Sequence, residues 1–257
     1  ADLADMLDWD ALNDFRRKSL NPEHPAQRGT AQNPDVFFQA KEASNKAYDA
    51  IPEVVEEYMN KVNEKIGSDY KLFNYYGAED ADEVIIAMGS VCDTISETVD
   101  YLNANGRKVG LVKVRLYRPF SVKHLVAAIP STVKKISVLD RTKEPGSIGE
   151  PLYLDVVAAL RDTEFANVPV YTGRYGLGSK DTTPAQIIAV FKNTEKKRFT
   201  IGINDDVTNL SLALDENPDT TPAGITSCKF WGLGADGTVG ANKNSVKIIG
   251  DHTDMNV

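Results

Sequence analysis

The chain has 257 residues, of which 42% are hydrophobic and 26% are charged, with a formal net charge of −8 and a pI of about 5.0. These values are typical of a soluble globular protein with one large or two ordinary domains, and no apolar run approaches the roughly 20 residues of a membrane span. The net charge argues against duplex nucleic acid or an anionic membrane as a partner, because both attract positive surfaces.

The first 65 residues contain two stretches with helical periodicity, residues 3–20 and residues 51–67. The segment between them is marked by Pro22, Pro25 and Pro34 and is predicted to be irregular. Short helices on a long connector bury little apolar surface by themselves. We therefore expect residues 1–65 to pack against another part of the protein.

Residues 66–222 alternate short apolar runs with amphipathic stretches. The predicted strands are residues 83–90, 108–117, 134–142 and 168–176, and the predicted helices are residues 91–106, 122–130, 150–162 and 183–193. Thr183 as cap and Pro184 at the first position mark the start of the last helix. Near-continuous apolar strands alternating with helices predict an α/β fold with a doubly wound, mostly parallel sheet covered on both faces.

The last block follows a linker rich in proline, acid and threonine, residues 215–222. Residues 223–231 are predicted to form a strand, and residues 239–250 a helix, with a glycine-rich loop between them. Cys92 and Cys228, the two cysteines, both lie inside apolar runs. They are predicted to be buried free thiols, as in a protein of the reducing cytoplasm.

The glycine-rich loop, residues 232–237, fits the pattern G-x-G-x-x-G between a strand and a helix. Such a loop lets a phosphate approach backbone N–H groups at the helix N-terminus, but the same pattern also suits a tight turn with no ligand. A dinucleotide fold needs a second strand ending in an acid, and none precedes Asp251. Asp236 inside the loop is interpreted either as a helix cap or as an acceptor for a ribose hydroxyl.

Five basic residues follow the predicted strands at their carboxyl ends, where ligands bind to doubly wound sheets: Arg118, Arg141, Lys143, Arg174 and Lys180. We expect each one alone to be solvated or paired, and the loops together to form an anion-binding or docking edge. His24, His124 and His252 are too far apart in sequence to predict a zinc site. No complete catalytic constellation is present in the sequence.

Several long strings resemble the pyruvate:ferredoxin oxidoreductases, multidomain 2-oxoacid oxidoreductases. They include LYRPFSVKHLVAAIP, VLDRTKEPGSIGEPLYLDV, GRYGLGSKDTTPAQIIAVF and SCKFWGLGADGTVGANKNSVKIIGDHTDM. The resemblance covers essentially the whole chain. It implies a homodimeric cytoplasmic enzyme that uses thiamine diphosphate, Mg²⁺ and [4Fe-4S] clusters to convert pyruvate and coenzyme A to acetyl-coenzyme A and CO₂, with ferredoxin or flavodoxin as acceptor.

The resemblance also implies how this enzyme is divided along the chain. Residues 1–65 correspond to the end of the first thiamine-binding domain, residues 66–222 to a domain like the C-terminal domain of transketolase, and residues 223–257 to the start of the coenzyme A domain. The family's coenzyme A loop maps onto Gly234, Ala235, Asp236, Gly237 and Thr238. No catalytic or metal-binding residue of the family falls on this chain, so it is expected to be an inactive fragment.

Two alternatives remain open at this stage. One is another 2-oxoacid specificity within the family, such as 2-oxoglutarate. The other is a non-catalytic module whose basic sheet-end loops dock an acidic partner such as ferredoxin.

Overall fold

A computed structural model of the chain describes residues 3–25, 29, 31–205 and 207–257. The chain divides into a larger unit that ends at Pro218 and a smaller unit, Asp219–Val257.

The larger unit begins with three helices, α1 (Trp9–Arg17), α2 (Phe37–Ala43) and α3 (Asn45–Ile66). The predicted helices at both ends of this region are confirmed, and Asp8 caps α1 by accepting a hydrogen bond from the Ala11 N–H (2.9 Å). The prediction that the connector is irregular was wrong in part, since α2 lies inside it. Helix α3 also begins six residues before the predicted start and continues through Pro52, which removes one N–H but leaves the rest of the helix intact.

A six-stranded sheet forms the centre of the larger unit. Its strands are β1 (Phe73–Gly77), β2 (Glu83–Ala87), β3 (Val109–Val114), β4 (Lys135–Asp140), β5 (Val170–Arg174) and β6 (Arg198–Thr200). Their order is β1-β3-β2-β4-β5-β6, and every pair is parallel except β1 with β3. The predicted mostly parallel α/β fold is thereby confirmed, with all four predicted strands present and two short edge strands added.

Helices cover both faces of the sheet, as a doubly wound fold requires. They are α4 (Val91–Ala104), α5 (Val122–Ala128), α6 (Pro151–Leu160) and α7 (Pro184–Lys192). Helices α4 and α7 pack with one set of strand side chains, including Ile85, Leu111 and Phe199. Helices α5 and α6 pack with the other set, including Val84 and Ile136. The alternating direction of successive strand side chains divides the core in this way.

The smaller unit contains one helix, α8 (Thr238–His252), as predicted. The predicted strand over residues 223–231 is wrong, because these residues are irregular and exposed. A strand is stable only when its backbone groups pair with a neighbouring strand, and no segment of Asp219–Val257 pairs with this one. The apolar composition of the segment was therefore misleading as a local signal.

The absence of a strand over residues 223–231 also explains why the two cysteines differ in burial. Cys92 is buried on α4, as predicted, whereas Cys228 is exposed and the prediction for it was wrong. Burial raises the pKa of the Cys92 thiol to about 11. Only Cys228 thus has the solvent access that thiol chemistry needs.

We expect a neutral thiol reagent to modify one cysteine of the native chain rapidly and a second one only on unfolding. Counting reacted thiols by mass spectrometry at pH 8 measures this. Cys228→Ser should remove the fast reaction, and Cys92→Ser should leave it unchanged. Rapid reaction of both thiols in the native chain would contradict the burial of Cys92.

Candidate functional site

The glycine-rich loop places two glycines in the left-handed backbone region. Gly234 has φ +127° and Gly237 has φ +84°. A side chain at either position would strain the backbone, because L-residues rarely adopt these angles. Between them, the Asp236 N–H donates to the Gly234 carbonyl (2.9 Å), so that the chain turns sharply before α8.

Asp236 holds this turn together through its carboxylate. Its Oδ2 accepts from the Leu233 N–H (2.7 Å), and its Oδ1 accepts from the Thr238 N–H (3.0 Å) and the Thr238 hydroxyl. These hydrogen bonds, chiefly the one from the Thr238 hydroxyl, lower the pKa of Asp236 to about 2, so the side chain is ionised at neutral pH. Of the two interpretations of Asp236, the geometry is nearer to the helix cap: Gly237 holds the N-cap position, and Asp236, one residue before it, accepts the N–H of Thr238, the first residue of α8.

The cap leaves part of the α8 N-terminus free. The first bond inside the helix is that from the Ala241 N–H to the Gly237 carbonyl (3.0 Å). The N–H groups of Val239 and Gly240 donate no hydrogen bond to any described residue. Together with the positive end of the helix dipole, two free donors can receive an anionic oxygen.

The basic residues predicted at the sheet edge fall into two groups. Arg118 pairs with Asp155 (2.6 Å), and Arg174 lies 3.6 Å from the carboxylate of Glu150. Arg141, Lys143 and Lys180 form no ion pair within the described part of the chain, although the Arg141 Nε donates to the Gly176 carbonyl (3.0 Å). Three cations without an ion pair among the described residues therefore lie on this edge.

Helix α6 carries a buried capping group that the sequence did not reveal. The Asp140 carboxylate, at the end of β4, accepts hydrogen bonds from the N–H groups of Leu152 (2.9 Å) and Tyr153 (3.1 Å). Asp140 follows an apolar run in sequence, but the helix it caps begins eleven residues later. Only the tertiary fold brings the two together.

Three further observations concern metal ligands, His124 and membrane-spanning helices. No three histidine, cysteine, aspartate or glutamate side chains among them converge as a metal site would require. His124, on α5, contacts Ser121 (2.6 Å) and lies 3.7 Å from Glu56. No helix among the described residues is long and apolar enough to cross a membrane.

Two family models match the chain. The model described as pyruvate:ferredoxin oxidoreductase core domain II matches residues 81–187, which contain most of the sheet. The model described as pyruvate flavodoxin/ferredoxin oxidoreductase, thiamine diphosphate-binding, matches residues 2–60. The two matches lie on either side of β1.

Similar proteins include a pyruvate-flavodoxin oxidoreductase of Enterobacter agglomerans, 60% identical over 99% of this chain, and a pyruvate:ferredoxin oxidoreductase of Moorella thermoacetica, 57% identical over 99%. The chain spans 22% of the length of each relative. A solved 2-oxoglutarate:ferredoxin oxidoreductase from Magnetococcus marinus aligns with 54% of this chain and 22% of its own length, at 25% identity and a TM-score of 0.36.

Each of the models and proteins matched is named as an oxidoreductase of a 2-oxoacid. The chain belongs, as a partial segment, to the pyruvate:ferredoxin/flavodoxin oxidoreductase family.

Proposed function

We propose that the protein containing this segment oxidises pyruvate with coenzyme A and ferredoxin or flavodoxin, giving acetyl-coenzyme A, CO₂ and the reduced carrier. The identity of 57–60% to relatives named for this reaction supports the assignment. Thiamine diphosphate as a cofactor is supported by the model that matches residues 2–60. Mg²⁺ and [4Fe-4S] clusters belong to the proposal through family resemblance alone.

Within that enzyme, we assign the larger unit a scaffolding role. It has an extensive core, while the three helices before β1 have mostly exposed apolar side chains, among them Trp9, Phe15 and Phe38. Exposed apolar residues on helices with so little core of their own are suited to packing against other domains or a second subunit. The domain boundaries at residues 66 and 223, the homodimer and the cytoplasmic location remain predictions.

The smaller unit is assigned to coenzyme A. The free N–H groups of Val239 and Gly240, next to the turn formed by residues 234–238, are the observation that carries this assignment. Phosphate groups bind readily to such helix N-termini, and coenzyme A carries three phosphates. Asp236 shapes the loop through its cap, while Gly234 and Gly237 permit the backbone path.

Replacing Gly234 with valine in the full-length enzyme is expected to weaken coenzyme A binding by about tenfold or more. Valine disfavours φ +127°, so the turn must change and the N–H groups move away from the phosphate. Asp236→Lys should also weaken binding, because it removes the three hydrogen bonds that fix the turn. Isothermal titration of coenzyme A into thiamine diphosphate-loaded enzyme measures both effects.

A matched control is Gly224→Val, which also replaces a glycine of positive φ (+91°) in the smaller unit, but outside the loop. Coenzyme A should bind this variant as it binds the unmodified enzyme. Unchanged affinity in both loop variants would refute the coenzyme A assignment, while leaving the pyruvate oxidoreductase assignment to be tested separately by turnover.

A further inference from the structure

The crevice at the topological switch point of the sheet has no assigned role in the proposed function. Among the parallel strands the order is β3-β2-β4-β5-β6. Strand β3 lies on one side of β2 and β4 on the other, so the switch point lies between β2 and β4. Ligands of doubly wound sheets bind at the carboxyl ends of the two strands that flank such a point. Here a cavity of about 420 Å³ occupies this position, lined by Gly89 and Ser90 after β2 and by Arg141 after β4.

The lining of this cavity is mostly apolar, which suits a flat, weakly polar group. The rings of Tyr117 and Tyr175 line it together with Met88 and Pro151. Asp140 also lies in the wall, but both of its carboxylate oxygens are occupied by N–H groups of α6. An aromatic base can therefore stack or pack here without facing a free carboxylate.

A second cavity of about 220 Å³ adjoins the first and is much more polar. The two share Ser90, Arg141 and Tyr175 in their walls. The second adds three more hydroxyl groups, from Thr94, Ser179 and Thr182. None of these hydroxyls, nor that of Ser90, forms a hydrogen bond with a described residue.

Positive charge accompanies these hydroxyls. Arg141 and Lys180 line the second cavity, and neither is in an ion pair within the described residues. Asp181 is the one acidic side chain in the same wall. Two cations and four free hydroxyls form a donor set that suits a phosphate group, which offers several acceptor oxygens and negative charge.

The backbone of the loop after β5 is also shaped for anion contact. Gly176, Gly178 and Ser179 all adopt left-handed conformations, with φ of +66°, +61° and +59°. Such runs turn successive N–H groups toward one side of the chain and form concave anion sites. Ser179 is the unusual member, because a residue with a side chain is strained there and glycine is not.

We propose that these adjoining cavities form a binding site for a nucleoside phosphate, with the base in the cavity that Tyr117 and Tyr175 line and the phosphates at Arg141, Lys180 and the free hydroxyls. The site is distinct from the α8 loop and lies wholly in the larger unit. The proposal rests on the two cavities, on two cations without an ion pair among the described residues and on the switch-point position, so it does not depend on the coenzyme A assignment.

The test is titration of ADP into the full-length enzyme saturated with thiamine diphosphate and coenzyme A, so that their own sites are occupied. ADP is expected to bind, and Lys180→Glu to weaken it by about tenfold through loss of one charge-assisted contact. Lys123→Glu, the same charge reversal at an exposed position on α5, should leave ADP affinity unchanged. Coenzyme A affinity should be the same in both variants.

A second variant separates ligand binding from stability. Ser179→Gly relieves the left-handed strain and removes one hydroxyl, so thermal stability should be equal or higher while ADP affinity falls about threefold. Inorganic pyrophosphate should bind at least about tenfold more weakly than ADP, because it lacks the base. Absence of ADP binding at about 5 mM, equal binding to Lys180→Glu, or equal affinity for pyrophosphate and ADP would overturn the proposal.

Discussion

Replacing Phe199 with alanine is expected to lower the free energy of unfolding of the chain by about 3–5 kcal/mol. Phe199 is the central residue of β6 and is fully buried. Its ring lies directly over Gly173 of β5, where a Cβ atom would come within 2.3 Å of the ring, and beside Leu139. Truncation would leave a void that neighbouring strands cannot close without moving the sheet.

Urea unfolding followed by far-UV circular dichroism measures this effect. Tryptophan fluorescence is a poor probe, because Trp9 and Trp231 are 47% and 84% exposed and lie outside the core. Phe38→Ala is the matched control, since this phenylalanine is 70% exposed and its loss should cost no more than about 0.5 kcal/mol. A cost below about 1 kcal/mol for Phe199→Ala would show that β6 contributes little to the core.

The strand that carries Phe199 could not be predicted from the sequence, although the four central strands could. The central strands are buried on both faces, so they appear as apolar runs of recognisable length. Strand β6 has only three residues, Arg198–Thr200, and two of them are polar. It forms because β5 offers a parallel partner, which is information that a local pattern does not contain.

The opposite error occurred at residues 223–231, where a local apolar pattern predicted a strand and no partner exists within the smaller unit. The residues of the candidate sites were likewise predictable only where they follow one another in sequence or follow the end of a strand. The glycine-rich loop and the basic sheet edge were predicted because their residues are contiguous or follow strand ends. The hydroxyls of Ser90, Thr94 and Ser179 were not, because the start of α4 and the loop after β5 supply them and only the parallel register brings these two segments together.

Asp140→Ala is expected to lower the free energy of unfolding by about 2–4 kcal/mol. The substitution leaves the N–H groups of Leu152 and Tyr153 at the start of α6 without their charged acceptor, in a buried position. Asp140→Asn keeps one acceptor oxygen and should cost less than alanine. Urea unfolding at neutral pH measures both, and Asp8→Ala, which removes the exposed cap of α1, serves as the comparison.

The pH dependence of these variants tests which force dominates at Asp140. The α6 N–H groups favour the carboxylate, whereas burial, aided by the nearby charges of Glu150 and Asp155, favours the protonated acid. Burial is the larger effect and raises the pKa of Asp140 above its ordinary value of 3.8. The native state therefore binds more protons than the unfolded state between 3.8 and the raised pKa, and stability falls as pH rises through that window.

Asparagine does not titrate, so the stability of the unmodified chain relative to Asp140→Asn should decrease from about pH 4 upward and level off above the raised pKa. The difference between the two proteins cancels the titration of every other group that the substitution leaves undisturbed. Urea midpoints at several pH values between about 4 and 7 give this difference. An increase with pH would instead mean that the helix N-terminus outweighs burial, and that Asp140 is held as a carboxylate by α6.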